Sequence, residues 1–178
     1  MSASLQPLLE RCPVDVYGLP LTTTPAAAGH YLDGIARLIL GDPAAELSLR
    51  RAVDADPRFA LAHAALDLAA HGGTHRAIAL GLRAGITRRE RQHIEILAAY
   101  GSEDDTRATA LAREHILEFP KDLLIVREVA AITSGSAREH LFASVSSHYP
   151  GDPLFWALRL SSNRNSDYKG PPITNATA

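Results

Sequence analysis

The sequence predicts an all-α protein: antiparallel helix pairs stacked in succession as a right-handed solenoid. Three observations predict it. Apolar residues recur at spacings of three and four in segment after segment of about a dozen residues, the period of an amphipathic helix. Glycine and proline interrupt those segments at short, regular intervals, which joins helices as close antiparallel neighbours. Alanine is abundant while aromatics are only 6%, a balance that favours close-packed helices over sheets.

Residues 1–23 have little helical periodicity and end in Gly18-Leu19-Pro20-Leu21-Thr22-Thr23, which reads as an extended arm. Thr24-Pro25 starts the first helix, a capping hydroxyl followed by proline at the first helical position. Tyr31, Leu32, Ile35, Leu38 and Ile39 form its stripe, and Gly41 stops it. Asp42-Pro43 opens a second helix with Ala45, Leu49 and Ala52 inward. Asp56-Pro57 opens a third with Phe59, Ala62 and Leu66 inward, and Gly72-Gly73 breaks it. A short fourth helix carries Ala77, Ile78, Gly81 and Ala84.

Thr87-Arg88-Arg89-Glu90 is a capping box opening the fifth helix, which carries Ile94, Leu97 and Ala98 and stops at Gly101. Glu103, Asp104 and Asp105 fall in the first turn of a sixth, where negative charge suits the helix dipole. Its stripe runs Ala108, Leu111, Ala112, His115, Ile116 and Phe119, and Pro120 closes it. The seventh helix, about 122–133, is apolar on most faces and should be central. Ser136-Ala137-Arg138-Glu139 reads as a second capping box. The last helix spans Leu154 to Leu160, and residues 161–178 read as a disordered polar tail. The repeat domain is therefore 24–160.

A repeat emerges from these segments. Ala45-Leu49-Ala52, Ala108-Ala112-His115 and Arg138-Phe142-Val145 each have a spacing of four then three, and each precedes a proline (Pro57, Pro120, Pro150) by five residues. This resembles the second-helix signature of the tetratricopeptide repeat. A narrower likeness lies in Asp15-Val16-Tyr17-Gly18-Leu19-Pro20-Leu21-Thr22-Thr23, in the run from Ala52 to His63, in Arg89-Glu90-Arg91-Gln92-His93 and in Phe119-Pro120-Lys121-Asp122. Together these resemble the tetratricopeptide repeat protein 38 family over about two thirds of the chain. The resemblance implies an all-α repeat fold and no known active site.

The chain has 178 residues and a net charge of -2, without the basic bias of a nucleic-acid binder. Its single cysteine, Cys12, has no second cysteine for an internal disulfide. No apolar run approaches a membrane span, and the first residues lack a signal-peptide pattern; a cytoplasmic protein is expected. Among eight histidines no pair has metal-ligand spacing: His71 and His75 are separated by Gly72-Gly73, and His140 and His148 lie two turns apart. No metal, cofactor or catalytic set is assigned. His115, on an apolar face, should make one buried hydrogen bond.

The chemistry that remains is that of a binding surface. In a repeat stack the first helix of each pair lines the concave side. His63 with Asp67, His93 near Glu90 and Glu95, the basic group around Arg89, and Tyr100 would then line a groove for a peptide or protein partner. The alternative is a small-molecule binder or small enzyme using the same His-carboxylate groups, which would require a closed pocket. Phe155 and Trp156 on the last helix are candidates for self-association.

Overall fold

The computed structural model describes residues 12–164 apart from 71 and 103, and from residue 25 onward its regular structure is helical. Among the described residues nine α-helices follow one another: α1 Pro25–Leu40, α2 Ala45–Ala55, α3 Ala60–Ala70, α4 Thr74–Leu82, α5 Arg88–Tyr100, α6 Asp105–Glu118, α7 Leu123–Ile132, α8 Gly135–Val145 and α9 Pro153–Arg164. Short 3-10 turns follow α4 and α8. Among the described residues no helix is long and apolar enough to cross a membrane.

The helix starts are set by local side-chain chemistry. The Thr24 hydroxyl accepts from Ala27 N with Pro25 in the first turn, and Gly41, at φ 72°, ends α1. Thr87 and Glu90 form the predicted reciprocal box. Asp104 accepts from Arg107 N at the head of α6, and Asp152 from Phe155 N at the head of α9. The second predicted box is absent. Gly135, at φ 54°, turns the chain into α8 one residue ahead of Ser136. Ser136 therefore lies within the first turn, and Ser134, at the cap, makes no side-chain bond. The last helix runs on to Arg164, past the predicted boundary at 160; the remainder of the predicted tail and His71 lie outside the described residues.

From α1 to α7, consecutive helices pack on one another, tightest where α2 crosses α1. Gly34 allows that approach: a Cβ there would stand 2.7 Å from Leu49 Cδ2. The stack also closes on itself, since α9 packs against both α1 and α7. One core results, containing Tyr31, Leu49, Phe59, Leu66, Ile96, Ile125, Phe142 and Phe155. As the sequence predicts, α7 is buried on most faces.

The arm is not extended over its described length. Residues 13–21 double back: Leu21 N donates to Pro13 O, Asp15 N to Leu19 O, and Gly18, at φ 81°, makes the turn. Asp15 Oδ1 accepts from Tyr17 N and Leu19 N, fixing that turn from inside. From the end of this hairpin Leu21 enters the helical core, just 1% exposed, while Pro20 stays exposed and Thr22 and Thr23 are half-buried.

Candidate functional site

Beside the arm, where α5, α6 and the residue before α7 come together, the core holds charge as well as hydrocarbon. Asp122 precedes α7 at its cap position but does not cap. Its carboxylate turns inward, and Oδ2 receives Arg89 Nη1 at 2.9 Å, His93 Nδ1 at 2.9 Å and His115 Nε2 at 3.1 Å. All four residues are buried. Arg89 Nη2 donates in turn to Pro20 O at 3.1 Å. Gln92 Oε1 stands 3.1 Å from the other nitrogen of His115.

Burial by itself would raise the Asp122 carboxyl. The charge interaction with His93, hydrogen bonds from His115 and His93, and the Arg89 guanidinium outweigh it and hold the group well below its ordinary 3.8. Asp15, nearby on the arm, is shifted upward by burial against the lowering pull of Leu19 N, Tyr17 N and Arg89. Two side-chain nitrogens in the cluster, Arg89 Nε and His93 Nε2, are buried without a hydrogen-bond partner.

Glu90 completes the contact with the arm. Its carboxylate accepts from Thr22 N at 2.8 Å and Thr22 Oγ1 at 2.6 Å while also closing the Thr87 capping box. Thr23 Oγ1 donates to Asp56 at 2.6 Å. Beneath the arm lies a cavity of about 110 Å³. Its walls are mainly apolar, with Tyr31, Ile35, Leu123 and Leu154 among them, and Arg89, Asp122 and Asp15 are its charged groups. A wider depression of about 530 Å³ between the ends of α1, α7 and α9 is lined by Arg127 and Arg138. Those guanidiniums are already engaged, Arg127 by Glu128 and Arg138 by the carbonyls of Thr133 and Ser162.

Of the six residues expected to line a groove, His63, Asp67, Arg89, Glu90 and His93 are buried, and these five separate into two groups. Arg89, Glu90 and His93 meet at the arm. His63 and Asp67, on α3, do not pair with each other: His63 bonds His75 Nδ1 and Pro57 O, both at 2.9 Å, and Asp67 takes Arg76 Nε at 3.0 Å. His93 pairs with Asp122 rather than with Glu90 or Glu95, and Glu95 faces Arg83. Tyr100 is half-buried, with its hydroxyl enclosed and unpartnered. Of the two candidate interface residues, Phe155 is buried, stacked 4.7 Å from Tyr149, so it cannot meet a partner; Trp156 is 42% exposed.

Compared with protein-family models, with curated proteins and with solved structures, the chain matches none. Its site has to be read from its own geometry. Asp122 and Gln92 were not singled out by sequence, and His115 makes two contacts where one was expected. The available signal was weak: a histidine in a small-residue stripe, and an aspartate after Phe119-Pro120 that could equally have been an ordinary cap.

Proposed function

We propose that this chain is a tetratricopeptide-like binding module whose inner face receives a short extended peptide carrying one apolar anchor followed by hydroxyl side chains. The observation that carries the reading is the way Pro20–Thr23 is held. Arg89 takes the Pro20 carbonyl, Glu90 takes both the main-chain and side-chain donors of Thr22, Asp56 takes the Thr23 hydroxyl, and Leu21 fills the apolar space between them. Main-chain hydrogen bonds supply affinity for any extended segment, and the side-chain pockets supply choice. The arm then acts as an occupant in cis, which a partner peptide must displace. The likeness to the tetratricopeptide repeat protein 38 family and a cytoplasmic setting belong to the same reading, in which no catalytic step is assigned.

A labelled peptide of residues 14–24 tests it. The wild-type chain should bind weakly, because its own arm competes at a roughly millimolar effective concentration. A Leu21→Asp variant, or Thr22→Pro should the first not fold, should bind it more tightly than wild type does. Failure of both variants to bind the peptide, or equal binding of a scrambled peptide, would refute the reading.

A second reading has one specific support. The cavity beneath the arm is small and partly open, and Arg89, one of its lining residues, has a buried Nε without an acceptor. A small, mostly aliphatic molecule with one acceptor atom fits that chemistry.

A further inference from the structure

We propose that His93, His115 and Asp122 form a binding site for a tetrahedral divalent cation of the zinc class. The proposal does not depend on the peptide reading. It begins from the ligand atoms: one from each of the three buried residues, all within 4.8 Å of one another. Around a tetrahedral ion with bonds of about 2.0–2.1 Å, ligand atoms stand about 3.3 Å apart. The two His–Asp separations, 2.9 and 3.1 Å, need only a few tenths of an ångström of expansion.

Three features make a cation a better occupant than protons alone. Asp122 Oδ2 has two lone pairs, yet three nitrogens crowd onto it. Arg89 on one lone pair and a metal ion on the other would use that oxygen fully. The second feature is Gln92. Its Oε1 at His115 Nδ1 calls for a proton there, which aims the lone pair of Nε2 at a carboxylate oxygen. Without a second proton or a cation, two acceptors would face each other in the core. A carbonyl that fixes the outer nitrogen of a histidine is the usual support for a metal-ligating ring. The third is charge. Asp122, Glu90 and Asp15 all act on Arg89, the one guanidinium among them. Three carboxylates set against one guanidinium favour further positive charge at this place, which a cation supplies. Two nitrogens and one carboxylate oxygen suit zinc better than magnesium or calcium.

The test uses the full chain, stripped with chelator and titrated with Co²⁺, whose tetrahedral complexes absorb visible light far more strongly than octahedral ones. One equivalent should bind with tetrahedral absorption, and Zn²⁺ should displace it. Gln92→Ala should weaken binding by about 10–100-fold, and His93→Ala by more than that. His75→Ala should change nothing; it controls for the separate His63–His75 pair. Circular dichroism checks the fold of each variant. If His93→Ala does not fold, Gln92→Ala decides: unchanged Co²⁺ affinity overturns the proposal. It is equally overturned if tetrahedral absorption is absent, persists in folded His93→Ala, or is lost in His75→Ala.

Discussion

Replacing Asp122 with asparagine removes one charge from the centre of the fold while keeping its shape. Arg89 and Asp122 have side chains only 6% and 5% exposed and meet at 2.9 Å. Deleting one partner of such a pair costs about 3–5 kcal/mol, because the other charge stays buried and uncompensated. The asparagine oxygen still accepts a hydrogen bond, so the expected loss is near the lower end, about 3 kcal/mol. In a chain of this length that lowers Tm by roughly 6–12 °C. The loss also depends on pH. The native carboxyl sits well below 3.8, so the folded state binds its proton less readily than the unfolded chain does. The stabilisation is complete above the unfolded value near 4 and fades as pH falls through the native value. Urea melts of metal-free protein at pH 7 and at pH 3 measure both parts: a wide gap between wild type and variant at the first pH, a narrower one at the second. Adding Arg89→Met to Asp122→Asn should recover part of the loss, since the stranded charge disappears. A gap below about 1 kcal/mol at pH 7, the range of an exposed ion pair, would refute the view that these groups are desolvated and coupled.

Glu128 presents the opposite sign. Burial raises its carboxyl against the lowering pull of Arg127, so the native state holds that proton more tightly, and stability falls as pH rises from the unfolded value through the native one. Glu128→Gln should therefore raise the urea midpoint at pH 7 and make little difference at pH 4; a lower midpoint at pH 7 would contradict this. Trp156, exposed on α9 with Arg159 lying 5.5 Å over its ring, should tolerate Trp156→Asp without loss of fold. If this face joins two copies, light scattering after size exclusion will show wild type as a dimer and the variant as a monomer; identical masses would remove self-association through Trp156.

Which features the sequence made legible follows from how far apart the causes lie. The start and stop of α1, and the Thr87–Glu90 box, depend on residues three or four apart, and the structure holds them as expected. The Ser136 box failed at the same range because Gly135, open to a left-handed backbone, redirected the entry by one residue. The expected His63–Asp67 pair had the right helical spacing. However, Arg76 from the next helix offers Asp67 a full charge, and Pro57 O offers His63 an acceptor. Spacing along one helix says nothing about such competitors. The central cluster was less legible still. It joins position 20 to 89, and 93 to 122, and periodicity identifies which residues turn inward without telling which of them meet. The ring closure of α9 on α1 has the same character, since no local signal records a contact between the two ends of a stack.

The composition of that centre bears on why it exists. A stack of alanine-rich helices can hold its axis with leucine and valine alone, and exchanging a buried ion network for packed hydrocarbon of equal volume is often neutral or stabilising. Stability therefore does not explain why two histidines, an arginine and an aspartate meet where Ile94, Leu123 and Ile125 are also buried. What hydrocarbon cannot do is recognise direction. Arg89 and Glu90 engage the arm through a carbonyl and an amide hydrogen, groups every peptide carries, and Asp122 keeps Arg89 aimed at the first of them. His93 and His115 hold Asp122 from the far side. The cluster thus links the arm to three successive helices, and a change of charge at Asp122, by a proton or a metal ion, should change the grip on Pro20. That coupling is open to direct measurement: labelled-peptide affinity should shift on Zn²⁺ addition in wild type and stay constant in Asp122→Asn. A constant affinity in both would mean that the cluster and the arm, though in contact, work independently.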